Sequence, residues 1–248
     1  AYAKGVYNVP TYFIGEERLA ERPYVEVARA IRRALGIGDA LYEEPTFPPA
    51  PADRPYVYSN MVQTIDGKIL PGGRDETAAG LGSSVDGDAL GTLESHADAV
   101  LVGARTLRAT GNGWNPGAEW RIVITASGDV DPASNFLAHG RAVVASPGAE
   151  HGPGERMDSD NLPAMLRSLR EKGVERILLL GGAEINARFF REGLVDEIFV
   201  TIAPKLRLGE DVPTYADGVA FDRPEDWSLV SDRRVGDELF LRYRRKAR

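Results

Sequence analysis

The chain contains no cysteine. That excludes disulfides, thiolate nucleophiles and cysteine-ligated metals together. Histidine is scarce as well: His96, His139 and His151 are scattered without metal-ligand spacing, so they read as surface or structural imidazoles and no metal is expected. An excess of positive charge is also missing. Lys and Arg number 30 against 37 Asp and Glu, a formal net charge of -7, which excludes a nucleic-acid protein held by a broad basic surface. A local basic pocket for a phosphorylated ligand stays compatible with that balance. No apolar run is long enough to span a bilayer, and no signal-peptide pattern opens the chain, so a cytoplasmic protein with no membrane partner is expected.

What is present is ample apolar material. The 248 residues are 43% hydrophobic, enough for one substantial core or two modest ones. The run "EEPTFPPAPADRP" over residues 43–55 disfavours both helix and central strand and reads as a semi-rigid linker. It separates a short segment, 1–42, from a main domain, 56–248. In the short segment "VPTYFIG" and "ERLA" read as two strands. "RPYVEVARAIRRAL" reads as a helix with Val25, Ala28, Ile31 and Leu35 on one face. Alone it is too small for an independent core.

The main domain alternates strand and helix. Strands are expected at 56–62, 98–103, 121–126, 141–146, 176–180 and 195–204. Helices are expected over 84–97, with Ser84 as N-cap and Val85, Leu90, Leu93 and Ala97 inward, and over 160–173, with Leu162, Met165, Leu166 and Leu169 inward and Gly173 closing it. A third helix is expected over 184–193, closed by Gly193. The tail reads as a hairpin turning near Gly236-Asp237. Continuous apolar strands separated by helices imply an α/β fold with a mainly parallel sheet covered on both faces; the hairpin adds antiparallel strands at one edge.

Ligands of open α/β sheets sit beyond the carboxyl ends of the strands. Two strand ends carry glycine followed by a helix. In "VLVGARTL" Gly103 precedes a short helix with Thr106 in its first turn; in "LLLGGAEIN" Gly181 and Gly182 precede the next. Both junctions present backbone N–H groups at a helix N-terminus, where an anion is favoured, and glycine lets phosphate oxygens approach. Each could equally be a tight turn and no more, and neither has the G-x-G-x-x-G spacing. A third stretch, "SNMVQTIDGKIL", runs a strand into Asp66-Gly67-Lys68 with Thr64 just before. Asp-Gly is a turn signal. A carboxylate at that strand end could also orient a nitrogen heterocycle, or pair with Lys68 and hold the loop.

The segment "GVYNVPTYFIGEERLAERPYVEVARAI" resembles the closing strand–strand–helix of thioredoxin-like proteins of the disulfide-oxidoreductase kind, without their cysteines; Pro10 matches the family's cis proline. The resemblance implies a remnant module that packs on the main domain or on a partner subunit. Residues 54–220 resemble the reductase domain of riboflavin biosynthesis, in the dihydrofolate-reductase-like superfamily. The carrying motifs are "RPYVYSNMVQTIDGKI", "HADAVLVGARTL" and "LLLGGAEINARFFREGLVDEIFVTIAPKLRLGEDVPTY".

This resemblance implies a dihydrofolate-reductase-like fold, NADPH as cofactor, a pyrimidine ribose phosphate as small-molecule substrate, and a homodimer. Carried over by residue, it implies that Gly103, Ala104 and Thr106 contact the cofactor near its nicotinamide half and phosphates. It puts Gly181, Gly182, Ala183, Glu184 and Ile185 along the pyrophosphate, and Thr125, Ser127 and Ser146 near the adenosine 2′-phosphate. Asn60, Thr64, Asp66 and Lys68 would face substrate and nicotinamide, with Asp66 orienting the substrate or relaying a proton. Two departures stand out. Thr110 and Gly111 occupy the places of the family's paired aspartates, and Leu180 that of a glutamate before the glycines. They fit a relative that reduces another ring, such as a dihydropteridine; a non-catalytic nucleotide-binding protein is a further alternative. Arg74, Arg105 and Arg108 are the candidates for gripping a substrate phosphate, and Trp114 for an apolar wall or a loop anchor.

Overall fold

The computed structural model describes residues 13–14, 17–18, 45–149 and 155–246. The chain divides into two compact units, Ala1–Thr46 and Phe47–Arg248. In the first, β1 (Phe13–Ile14) pairs antiparallel with β2 (Glu17–Arg18), where two strands are expected. Pro10 and the helix expected beyond residue 22 lie outside the described residues. The proline-rich stretch carries no helix or strand from residue 45 to 55, and from Phe47 on it belongs to the larger unit. There the Phe47 ring packs on Tyr58, with centroids 4.5 Å apart.

The larger unit is built on nine strands: β3 (Tyr56–Gln63), β4 (Ala99–Gly103), β5 (Trp120–Ile124), β6 (Arg141–Ser146), β7 (Glu155–Asp158), β8 (Arg176–Leu179), β9 (Glu197–Ile202), β10 (Trp227–Val235) and β11 (Glu238–Arg245). Their order across the sheet is β10-β11-β9-β3-β8-β4-β5-β6-β7. From β9 to β7 every pairing is parallel; β11 pairs antiparallel with β9 and β10 with β11. The expected parallel sheet and edge hairpin are both present. The hairpin loop is Gly236-Asp237, with Gly236 at φ 60°, as the first position of a type II′ loop requires. Among the described residues, no helix is long and apolar enough to cross a membrane.

The helices are α1 (Ser84–Glu94), α2 (Ala104–Thr110), α3 (Asn135–Ala138), α4 (Leu162–Glu171) and α5 (Ala183–Arg191). Successive crossovers from β3 to β7 step one way across the sheet, and those from β7 through β8 to β9 step back. With right-handed crossovers this puts α1, α2 and α3 on one face and α4 and α5 on the other. Burial agrees. Leu162, Met165, Leu166 and Leu169 of α4 and Phe189 of α5 share a core with Val57, Leu101, Ile122 and Ile177. On the opposite face Tyr58 donates a 2.8 Å hydrogen bond to the Leu93 carbonyl at the end of α1. Strands β4 and β5, covered on both sides, are buried at every residue. That is why "AVLVG" and "WRIVI" are continuously apolar or clamped rather than alternating.

Several expectations need correction. Ser83, not Ser84, caps α1, accepting from the Val85 amide at 3.1 Å. Ala97 lies beyond the end of that helix, and its buried residues are Ala89, Thr92 and Leu93. Strand β7 and the single turn α3 have no counterpart in the sequence reading. Strand β7 has one buried residue, Met157, in four, so it lacks the apolar run that marks its neighbours.

Candidate active site

The carboxyl ends of β3, β4, β5 and β8 open into one cavity of about 750 Å³. Its middle is made by the two glycine junctions, which are neighbours because β4 pairs with β8. The Gly103 amide donates to the Gly181 carbonyl at 2.6 Å. A Cβ on Gly103 would lie 3.2 Å from Ile185 Cγ1 and 3.4 Å from that carbonyl; one on Gly182 would lie 3.2 Å from Thr106 Oγ1. Gly181 has φ 74°, and the Gly181–Gly182 peptide is cis. Gly103 is the N-cap of α2 and Gly182 that of α5, and neither helix start has a side-chain cap. Amides at both starts are therefore left for a ligand or water.

Of the residues expected to hold the cofactor, Gly103, Ala104, Thr106, Thr125, Ser127, Gly182, Ala183, Glu184 and Ile185 all line this cavity. Gly181 and Ser146 do not. The Gly181 carbonyl is turned to the Gly103 amide, and a Cβ on Gly181 would meet the Asn186 side chain instead of open space. Ser146 sits behind the turn at Gly128, and its carbonyl accepts from the Ser159 amide at 3.1 Å; Pro147 takes its place on the wall. Ser159 and Arg188 also line this end and were not anticipated.

The "TIDGK" loop departs further from expectation. Asn60 lines the cavity, but Thr64, Asp66 and Lys68 do not. The Thr64 hydroxyl donates to Asp66 Oδ1 at 2.6 Å and accepts from the Lys68 amide at 2.9 Å. Asp66 also accepts from the amides of Arg207 (3.1 Å) and Leu208 (2.8 Å), while Lys68 Nζ reaches the Val212 carbonyl at 3.0 Å. Asp66 thus fastens two loops together. The Thr64 hydroxyl first, and the two amides with it, outweigh desolvation and bring the Asp66 pKa down to about 2. These contacts are all to the protein itself, and the carboxyl lies off the cavity wall.

Arg74, Arg105 and Arg108 all line the cavity. Arg74 and Arg105 lie 3.5 and 3.3 Å from Glu184 Oε1, and Arg74 also lies 3.4 Å from Asp217. These pairs are solvent-exposed and correspondingly weak, so an anionic ligand can recruit the arginines at small cost. Trp114 is both wall and anchor: it lines the cavity, its indole N–H donates to Glu94 at 3.0 Å, and its ring packs on Phe136 at 4.8 Å. Burial raises the Glu94 pKa, with Trp114 and Arg121 opposing. Of the residues that depart from the pattern the resemblance implies, Thr110 and Leu180 are on the wall and Gly111 is not. So is Asp86 of α1, beside Leu90, which the sequence reading overlooked. An acid in the first turn of a helix ordinarily serves the helix itself, so no local signal marked it.

The chain is similar to known proteins in sequence and in fold. Residues 55–241 match the family model described as the RibD C-terminal domain. A 2,5-diamino-6-ribosylamino-4(3H)-pyrimidinone 5′-phosphate reductase of Methanothermobacter thermautotrophicus is 29% identical over 222 residues, covering 77% of this chain and 98% of that protein. The protein of the same name from Archaeoglobus fulgidus is 29% identical over 206 residues, covering 68% and 89%. Among solved structures, RibD of Acinetobacter baumannii superposes with a TM-score of 0.65 at 18% identity, over 79% of this chain and 59% of that one. A pyrimidine reductase-like protein of Corynebacterium diphtheriae gives 0.64 at 18% identity, over 79% and 94%. These two likenesses speak for the fold. With three quarters of its length matched by the family model, the chain belongs to the RibD C-terminal domain family.

Proposed function

We propose that this protein is an NADPH-dependent reductase acting on 2,5-diamino-6-ribosylamino-4(3H)-pyrimidinone 5′-phosphate, the compound named for its relatives in Methanothermobacter and Archaeoglobus. The observation that carries the reading is the meeting of the two glycine junctions in one cavity. Gly103 and Gly182 let the two junctions close on each other, and the two helix starts beside them carry no side-chain cap, which suits a pyrophosphate. The cofactor, when bound, supplies a hydride. Gly103, Ala104, Thr106, Gly182, Ala183, Glu184 and Ile185 hold its pyrophosphate and nicotinamide half. Thr125 and Ser127 reach its adenosine end, where a 2′-phosphate would separate NADPH from NADH. Asn60 faces the reacting rings, and the cavity arginines meet the substrate phosphate. The protein works as a cytoplasmic homodimer, and residues 1–42 form a remnant module outside the reductase domain.

One observation favours a second substrate. Thr110 and Leu180 line the cavity, with a hydroxyl and an aliphatic chain where the resemblance implies carboxylates. A dihydropteridine ring, which carries no ribose phosphate, suits such a wall. The deciding experiment titrates the protein with NADPH and NADH, then follows NADPH oxidation with the pyrimidinone phosphate and with dihydrofolate in parallel. Turnover of the first supports the main reading and of the second the alternative. NADPH binding without either turnover leaves a nucleotide-binding protein, and no binding at all reduces the glycines to turn residues.

A further inference from the structure

Strand β5 reads Trp-Arg-Ile-Val-Ile, and every residue of it is buried. Arg121 is therefore a charge in a core strand, 5% exposed. Such a group is costly unless its donors are met, and a well-packed apolar side chain would serve stability as well. Arg121 is met at all three nitrogens. Its Nη1 donates to Asn115 Oδ1 at 2.6 Å and to the carbonyls of Asn135 at 3.0 Å and Phe136 at 3.3 Å. Nη2 donates to the Pro116 carbonyl at 2.6 Å, and Nε to that of Ala118 at 3.4 Å.

These acceptors lie on two segments, the turn α3 and the stretch 111–119 that joins α2 to β5. That stretch contains Gly111, Gly113 and Gly117 and has no helix or strand from residue 114 to 119, so its own backbone does little to fix it. Within 114–119 it is Trp114 that reaches the cavity wall. Arg121 grips the chain just after Trp114, and the Asn135 side chain donates to the Asn112 carbonyl just before it. The indole is itself held twice. Its N–H donates to Glu94 at 3.0 Å, and its ring packs on Phe136 with the planes 32° apart. Glu94 ends α1, and the Arg121 charge, after the indole N–H, works against the burial that raises its pKa. Arg121, Glu94 and Phe136 stand behind the wall: none of the three lines the cavity.

We propose that Arg121 is a positioning residue for substrate recognition: from behind the cavity wall it fixes the stretch 111–119, and with it the Trp114 indole, as a rigid flat surface against which the conjugated ring of the substrate packs. The inference rests on the reductase reading above and deepens it. A flat ring gains most from an aromatic partner whose plane is already set. An indole on a loose loop would have to be ordered at each binding event, and that cost comes out of the affinity. Three donor nitrogens in one rigid plane let a single side chain hold several carbonyls at once, which a lysine cannot do. This explains why a core strand carries an arginine where an aliphatic residue would fill the space.

The test uses the full chain as wild type, Arg121→Lys, Trp114→Leu and the double variant, each labelled with 5-fluorotryptophan. The fluorine resonance that disappears when Trp114 is replaced, in either background, is that of Trp114. In Arg121→Lys, which keeps the charge and loses the fork, this resonance is expected to shift and broaden without any ligand. Calorimetry is expected to show NADPH affinity within about twofold of wild type, and the diaminopyrimidinone ribosylamine phosphate binding the NADP⁺ complex at least about fivefold more weakly. Trp114→Leu is expected to lose at least as much for the pyrimidinone. Adding Arg121→Lys to it should then change that affinity by less than about twofold, because a residue that acts through the indole has nothing left to act on. Asn115→Ala removes one exposed acceptor and answers the same question if Arg121→Lys does not fold: the Trp114 resonance should shift, with a smaller loss of affinity. An unmoved Trp114 resonance in these folded variants would overturn the proposal. So would losses that add in the double variant, or NADPH affinity falling in step with that for the pyrimidinone. If the wild type binds NADPH but not the pyrimidinone phosphate, the reductase reading fails and this inference with it; fluorine spectra in which Trp114 still responds to Arg121 tell that failure from a failure of the positioning.

Discussion

The amide of Gly103 donates to the carbonyl of Gly181 across 2.6 Å, which ties the end of β4 to the end of β8. The two glycine junctions are therefore one structure, and a side chain at either would meet the other. Gly182→Val places its Cβ about where Thr106 Oγ1 leaves 3.2 Å. Overpacking of this kind costs about 1–3 kcal/mol. The expected result is a folded protein with a lowered urea midpoint and NADPH affinity reduced at least about tenfold, read by fluorescence titration. Wild-type affinity would detach the pyrophosphate from this junction.

Asp66 gives a prediction with a pH signature. Its folded pKa, about 2, lies below the ordinary value of 3.8. The ionised carboxylate therefore stabilises the fold fully above pH 3.8, and the contribution is lost as pH falls toward 2. Asp66→Asn should lower the melting temperature at pH 7, and the difference from wild type should shrink as pH falls through that window. Turnover at saturating substrate should stay within about twofold. A collapse of kcat at unchanged stability would restore Asp66 to the chemistry.

Glu197 is fully buried on β9 and meets two arginines of β11, Arg242 at 2.9 Å and Arg244 at 2.6 Å. Removing one partner of a buried ion pair strands the others, at a cost of about 3–5 kcal/mol. Glu197→Gln should show that loss in urea unfolding, with amide exchange accelerated first in β10 and β11. Uniform acceleration across the sheet would mean that the hairpin does not open as a unit.

The larger compact unit, Phe47–Arg248, contains the nine-stranded sheet and every described residue that lines the cavity. A chain lacking residues 1–46 should keep its NADPH affinity within about twofold. Its mass in solution, compared with that of the full chain, shows whether the removed segment sets assembly. Lost cofactor binding in a folded truncation would give that segment a part in the site.

Much of this could be read before any coordinates. The apolar runs 98–103 and 121–126 announce strands, found at Ala99–Gly103 and Trp120–Ile124 and buried throughout, because a strand with two buried faces has no room for alternation. The spacing of Leu162, Met165, Leu166 and Leu169 announces the buried face of α4. The strand–glycine–helix pattern marks where a ligand would lie, because only glycine lets two backbones come so close. Strand β7 stayed hidden, since an edge strand with one buried residue carries no period to detect.

Which side chains face the cavity was decided only by tertiary contacts. Asp66 and Asp86 are both acids beside glycine in loop-to-helix country, and local sequence favours the first as the functional one. The fold gives the two different surroundings: Asp86 lines the cavity and Asp66 does not. Arg207 and Leu208, some 140 positions away, turn their amides to Asp66 and draw it into a loop clasp. Glu238, 155 residues from Ser83, holds the Ser83 amide, and Asp86 lies on the cavity wall. Sequence alone determined most strands of the sheet, its longer helices and the position of the two glycine turns, because these follow from short-range periodicity and backbone sterics. The assignment of donors to acceptors between distant segments belongs to the tertiary structure, because a carboxylate is satisfied by whichever N–H the chain brings within about 3 Å, however far along the chain it lies.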